Sequence, residues 1–254
     1  MNMKRLAFIF ALGLTFVMSA CVKPEDPTDP YGPAISSFSV LGDSFSSLEG
    51  YVDPDTNEPF ADYPNIGVTQ PEQMWWHQVA TGMGWTMDKN NSFSGSLVCN
   101  FSDFNGGEHY GPNSFIRRMD NLGDPDVILV FGATNDIYQR AELGDYVYAN
   151  WTEEQLRDFR PALAYLFDNL QLLYPRAKVY FMLDLGLCID DSSIANAIRQ
   201  AFIASIHRIA DHYNIGCIDL VDIHKDWWHP DVQGQDDIAR QTLEVLMADF
   251  NVNV

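Results

Sequence analysis

The chain has 254 residues, of which 46% are hydrophobic and 13% aromatic, and its formal net charge is −20. That length and apolar content suit one α/β domain with a large core. So large an acidic surplus repels phosphate backbones and excludes nucleic acid as a partner.

Lys4 and Arg5 precede a largely apolar stretch from Leu6 to Val17, and Met18-Ser19-Ala20-Cys21 follows. A basic start, a short apolar core and small residues before a cut predict a signal peptide over 1–20, too short to span a bilayer. Small residues just before a cysteine resemble the lipobox of bacterial lipoproteins. That resemblance implies removal of the signal and a lipid on Cys21; the simpler alternative is secretion with an unmodified Cys21. Residues 21–34 carry Pro24, Pro27, Pro30 and Pro33 among acidic residues. Such a segment cannot build a core and stays extended at about 3 Å per residue, a tether of roughly 30–40 Å. An acidic segment after a lipidated cysteine also resembles a surface-export signal of some bacteria. The expected location is the extracytoplasmic bacterial envelope, touching membrane only through the anchor.

Residues 35–254 form the predicted folded domain. Ser36 to Leu41 reads as a strand, and Gly42-Asp43-Ser44 follows it where open α/β sheets place their chemistry. Gly42 is expected to permit a sharp turn there. Phe45 to Val68 is a long irregular stretch, which suggests a pocket wall with Tyr51, Phe60 and Tyr63 as contacts. Its Asp53 to Glu58 run fails the calcium-loop pattern, which needs glycine where Glu58 stands. Thr69-Gln70-Pro71-Glu72 reads as a capping box opening a helix to about Thr81, closed by Gly82, with Trp75, Trp76 and Val79 on its apolar side. A strand is expected near Trp85 to Asp88, then a loop over Asn90 to Ser96. Ser114 to Leu122 reads as a short helix, and Asp126 to Phe131 as a buried parallel strand ending in Gly132-Ala133-Thr134-Asn135-Asp136.

Thr152 to Gln155 reads as a second capping box, opening a helix toward Tyr174 that Pro161 kinks or splits. Lys178 to Leu183 is the fourth strand, Asp191 to Tyr213 an amphipathic helix, Gly216 to Leu220 the fifth strand and Gln233 to Phe250 the last helix. Five strands alternating with helices predict a parallel sheet covered on both faces, a three-layer α/β/α domain without an internal repeat. Besides Cys21 there are Cys99, Cys188 and Cys217, an odd set without C-x-x-C spacing. They read as buried small residues or as one disulfide and a free thiol.

Asp226-Trp227-Trp228-His229-Pro230 stands in the loop before the last helix. An acid three residues before a histidine can orient the ring while its other nitrogen faces a serine. Gly42-Asp43-Ser44, Asn91 to Gly95, Gly132 to Asp136 and Asp226-x-x-His229-Pro230, in this order, resemble the four blocks of the SGNH (GDSL-like) hydrolase family. The resemblance implies a flavodoxin-like fold, Ser44 as nucleophile, His229 as base and Asp226 as its acid partner. It also implies an oxyanion hole from the N–H groups of Ser44 and Gly95 and the Asn135 amide. Each such donor is worth about 3 kcal/mol in comparable hydrolases. Asp43 is expected to support the site through hydrogen bonds.

Competing motifs are absent. There is no G-x-S-x-G elbow and no H-E-x-x-H zinc motif, and neither a metal nor another cofactor is called for. His224 lacks the following proline and helix, with Val221 three places before it. His207 and His212 read as ordinary helix residues. The expectation is a metal-independent serine esterase removing acetyl or similar groups from a small-molecule or glycan ester. Trp227, Trp228, Tyr138, Tyr146, Tyr148 and Trp151 are candidate faces for sugar rings. The alternatives are a lipid-directed esterase and a non-catalytic glycan-binding lipoprotein; fold alone does not choose among them.

Overall fold

Strands made almost wholly of apolar residues dictate the architecture, because such strands must be covered on both faces. The computed structural model describes residues 35–48, 67–101, 113–187 and 193–252. Five parallel strands, β1 (Ser37–Gly42), β2 (Thr86–Ser92), β3 (Val127–Phe131), β4 (Lys178–Asp184) and β5 (Gly216–Leu220), form one sheet in the order β2-β1-β3-β4-β5. The helices among the described residues are α1 (Trp75–Met83), α2 (Phe115–Arg118), α3 (Thr134–Tyr138), α4 (Phe159–Leu173), α5 (Ser193–Tyr213) and α6 (Val232–Asp249). A two-stranded antiparallel ladder, β6 (Lys225–Asp226) with β7 (His229–Pro230), precedes α6.

Side chains alternate across the sheet into two cores. Leu41, Ile128, Val130, Phe181 and Leu183 pack with Phe159, Phe167, Phe202 and Ile206 of α4 and α5. Phe38, Val40, Leu129, Phe131 and Met182 pack with Trp75, Val79, Ile238 and Leu246 of α1 and α6. Each such fully buried side chain stabilises the fold by about 1.5–3 kcal/mol. The result is the three-layer α/β/α domain that the alternation of elements predicts.

Several boundaries differ from the sequence reading. β2 runs on through Asn90, Asn91 and Ser92, which the sequence assigns to a loop. As an edge strand pairing only with β1, it needs no apolar run. The first capping box sits one residue later: Gln70 and Gln73 cap a short 3-10 turn, and α1 ends at Gly84 rather than Gly82. Pro161 does not kink α4, because Asp158 caps that helix and Pro161 falls in its first turn. The Thr152 box opens only a separate 3-10 turn, Gln155–Arg157. Residues 21–34, the Asp53 to Glu58 run and Tyr51, Phe60, Tyr63 and Cys188 lie outside the described residues. Cys99 and Cys217 are free thiols, the first buried and the second half-buried.

Sheet register positions the site. Gly42 is level with Ser92 of β2 and Phe131 of β3, so three chain segments leave the sheet at one height. The order places them where successive connections diverge to opposite faces, the crevice in which open α/β sheets bind ligands. At the other side of that crevice, α6 begins against the β6–β7 ladder. Gly234 in its first turn is so close to the ladder that a Cβ there would lie 2.0 Å from the His224 carbonyl oxygen and 2.8 Å from Pro230 Cβ. Gly234→Ala is therefore expected to destabilise the domain by about 1–3 kcal/mol, read from denaturant unfolding. An unchanged midpoint would show that the ladder and helix slide apart freely.

Candidate active site

β1 delivers the chain into a turn, 43–48, that is buried throughout. The Asp43 carboxylate accepts from Phe45 N–H at 3.0 Å and its carbonyl accepts from Ser46 N–H at 3.1 Å, which folds the chain back directly after the strand. Trp76 Nε1 and Asn90 Nδ2 donate to the Ser46 carbonyl at 2.9 and 3.0 Å. Trp75 Nε1 donates to Ser46 Oγ at 3.2 Å and Gln235 Nε2 to the Phe45 carbonyl at 3.3 Å. Both tryptophans are thus core residues that also pin the turn. Gly42 is required by proximity rather than by an unusual φ: a Cβ there would sit 2.6 Å from Ser92 Oγ and 2.7 Å from Ser46 Cβ.

His229 Nε2 lies 3.2 Å from Ser44 Oγ, across 185 residues of chain. The Phe45 ring meets the imidazole edge-on with centroids 5.8 Å apart. Burial in this setting lowers the His229 pKa to about 4, so the ring is neutral and able to accept a proton at neutral pH. Asp226 stands directly opposite His229 in the ladder but is exposed. Among the described residues, no hydrogen bond or ion pair joins its carboxylate to His229; its charge is felt at His224. His224 itself is held by Asp231 at 2.9 Å, which raises its pKa. The structure therefore brings Ser44 and His229 together and leaves Asp226 outside that contact.

The oxyanion candidates surround the same point. Gly95, with φ of 78°, occupies a backbone conformation that favours glycine, in the loop after β2. Among the described residues, nothing accepts from the Ser44 or Gly95 N–H. The Asn135 amide, at the start of α3, donates to the Ser96 carbonyl at 3.0 Å and to Asp43 Oδ2 at 3.3 Å. It therefore ties the segments after β1, β2 and β3 together. Beneath it, Asp136 accepts from the Val98 and Cys99 N–H groups at 2.9 and 3.3 Å. Burial pushes Asp43 up to about 7 and Asp136 up to about 6; the Phe45 and Val98 N–H groups hold each back, and the charge of Asp136 adds to the rise at Asp43.

Three supporting residues escape sequence reasoning. The Arg118 guanidinium donates to the Gly42 carbonyl at 3.1 Å, Ser96 Oγ at 3.0 Å, Asn91 Oδ1 at 3.0 Å and the Asn113 carbonyl at 2.7 Å. Nothing distinguishes it in the sequence from a solvated helix arginine. Lys225 Nζ reaches Asp184 Oδ2 at 2.6 Å, with the two side chains only 15% and 1% exposed. This pair moors the ladder carrying His229 to the carboxyl end of β4. A signal existed for Asp184, an acid closing an apolar strand just as Asp43 does. Removing one partner of a buried pair leaves an uncompensated charge, so Lys225→Ala should cost about 3–5 kcal/mol in unfolding free energy and lower ester turnover. Lys225→Arg should restore much of both; equal stability of the Ala variant would mean that water replaces the lost partner of Asp184.

Comparison with known proteins gives the family. Residues 36–246 match the family model described as GDSL-like lipase/acylhydrolase. A crystal structure described as a GDSL-like lipase from Bacteroides ovatus is similar at 40% identity and a TM-score of 0.73, covering 85% of this chain and 100% of the other. One of the same description from Bacteroides uniformis is similar at 38% identity and a TM-score of 0.72, covering 84% and 96%. A carbohydrate acetylesterase from Sinorhizobium meliloti shares the fold at 14% identity and a TM-score of 0.55, covering 84% and 99%. Among curated proteins none matches the chain. With a family match over most of its length and two close structural relatives, the chain belongs to the GDSL-like lipase/acylhydrolase family and is a serine ester hydrolase.

Proposed function

We propose that the protein is a metal-independent esterase that removes acetyl or similarly short acyl groups from an extracytoplasmic carbohydrate, held at the bacterial envelope by a lipid on Cys21. The observation that carries the catalytic reading is the 3.2 Å approach of His229 Nε2 to Ser44 Oγ. Ser44 attacks the ester carbonyl as neutral His229 takes its proton; His229 then gives that proton to the leaving alcohol. Water, deprotonated by the same ring, releases the acid from the acyl-enzyme. The Ser44 and Gly95 N–H groups and the Asn135 amide receive the oxyanion, the amide by yielding its longer bond to Asp43. Asp226, across the ladder from His229, is the carboxylate proposed to steady the imidazolium. Support for a glycan substrate comes from the leader and tether of the sequence and from the fold shared with a carbohydrate acetylesterase.

Hydrolysis of p-nitrophenyl esters of increasing chain length tests this reading. Acetyl ester turnover should survive a chelator, fall with longer acyl chains and drop by at least about 10³-fold in Ser44→Ala. Activity rising with chain length would replace the carbohydrate substrate with a lipid.

The pH profile separates the roles of His229 and Asp226. Only the neutral ring accepts a proton, so kcat/KM should rise with pH through about 4 and then level off. A limb at or above the ordinary imidazole value of about 6.5 would show a carboxylate charge reaching the ring in the working enzyme. With no hydrogen bond joining it to the ring among the described residues, Asp226 is proposed to steady the imidazolium only weakly, so Asp226→Ala should cost less than about 100-fold in kcat/KM, far below His229→Ala. Equal losses would establish a full triad.

A further inference from the structure

The ladder that carries His229 turns through two residues only, Trp227 and Trp228, between the paired Asp226 and His229. Trp227 has a φ of 60° at the first of these positions. Two-residue hairpin loops of this kind take glycine there, since a bulky side chain is strained at positive φ. Trp227 is also 87% exposed, the most exposed large apolar residue described. A tryptophan that is both strained and left in water gains nothing for the fold.

Its surroundings give the ring a place. Trp227 meets Trp228 edge-on at 6.0 Å between centroids, and Trp228 meets Tyr138 at 4.3 Å. Tyr138 ends α3, the helix that begins beside Asn135, and is itself 41% exposed. The three rings thus form a ledge from the element holding His229 to the element holding Asn135. The other candidate aromatics lie elsewhere: Arg160 and Arg208 both stack on Tyr146, Tyr148 lies on His212, and Trp151 packs on Tyr165.

Resting on the carbohydrate reading above, we propose that Trp227, backed by Trp228 and Tyr138, is a subsite that stacks on a neutral pyranose ring of the acylated substrate. Ser44 is only 5% exposed, so the acyl group enters and the alcohol half stays outside, beside the ladder. An acyl chain is held best by walls on every side, whereas an open indole offers one apolar face. A pyranose matches that: its C–H face lies on the ring while its hydroxyls remain in water. The net charge of −20 favours a neutral ring over an anionic one.

The test compares Trp227→Gly, which suits the turn and removes the ring, with Trp227→Phe. Both are assayed on p-nitrophenyl acetate and on acetylated xylo-, cello- and chito-oligosaccharides. Wild type should favour at least one acetylated oligosaccharide over p-nitrophenyl acetate. Trp227→Gly should raise KM for that oligosaccharide roughly three- to tenfold, leave its kcat and p-nitrophenyl acetate turnover unchanged, and be largely rescued by Trp227→Phe. An unchanged KM overturns the subsite while sparing the carbohydrate reading. Loss on both substrates alike overturns it too, making Trp227 a support of the His229 ladder. Wild-type turnover of p-nitrophenyl acetate without preference for any oligosaccharide overturns the carbohydrate reading, and the subsite falls with it.

Discussion

A single buried guanidinium holds together the sheet edge where the chemistry sits. Arg118 binds the carbonyl that ends β1, a hydroxyl beside Gly95, the side chain of Asn91 at the end of β2 and the carbonyl of Asn113 before α2. Those groups come from separate segments, which the arginine ties to one another. A planar fork of five donors serves several acceptors at fixed angles, which a lysine does not. Burial opposes the charge strongly enough to lower the Arg118 pKa to about 9, with Asp43 pulling the other way. The arrangement is costly as a source of stability and effective as a source of geometry.

The opposite wall of the crevice follows the same design. Lys225 and Asp184 form a buried ion pair, and it fixes the short ladder that presents His229. One mooring sets where Ser44 and Gly95 leave the sheet, and the other sets where the imidazole meets Ser44. The 3.2 Å contact between Ser44 and His229 is the product of both. Catalytic donors aimed in advance need no reorganisation during reaction, which is the main advantage of a fixed polar site over water. The two cores above and below the sheet supply the stability that offsets these buried charges.

Much of this was legible in the sequence, for identifiable reasons. β3 and β4 are covered on both faces, so their apolar runs stand out within a residue or two. β2 was cut short because an edge strand with polar residues carries no such signal. Helix α3 was missed because it is short and follows Ala133 in a left-handed conformation. Ser44 and His229 were readable because each sits at a fixed offset from a strand end or helix start. The spacing of Asp226 before His229 was readable as well, but their contact was not. Linear distance does not say that the carboxylate, on the same face of the ladder as the imidazole, stays exposed without a hydrogen bond to it. Arg118 acts only through tertiary contacts, and no local pattern marks it.

The exposure of Asp226 and of Trp227 follows from the size of the ladder. A two-residue turn at the end of a two-residue ladder has few neighbours to cover it. Lys225, His229 and Pro230 find partners at Asp184, Ser44 and the start of α6. Asp226 shares a face of the ladder with His229, its cross-strand partner, yet is exposed, and Trp227 at the tip is held at a φ that glycine would adopt freely. The hairpin therefore carries chemistry at His229 and an open ring at its tip. A shift of the ladder would move both at once, so the buried Lys225–Asp184 pair constrains the tip as firmly as it does the imidazole.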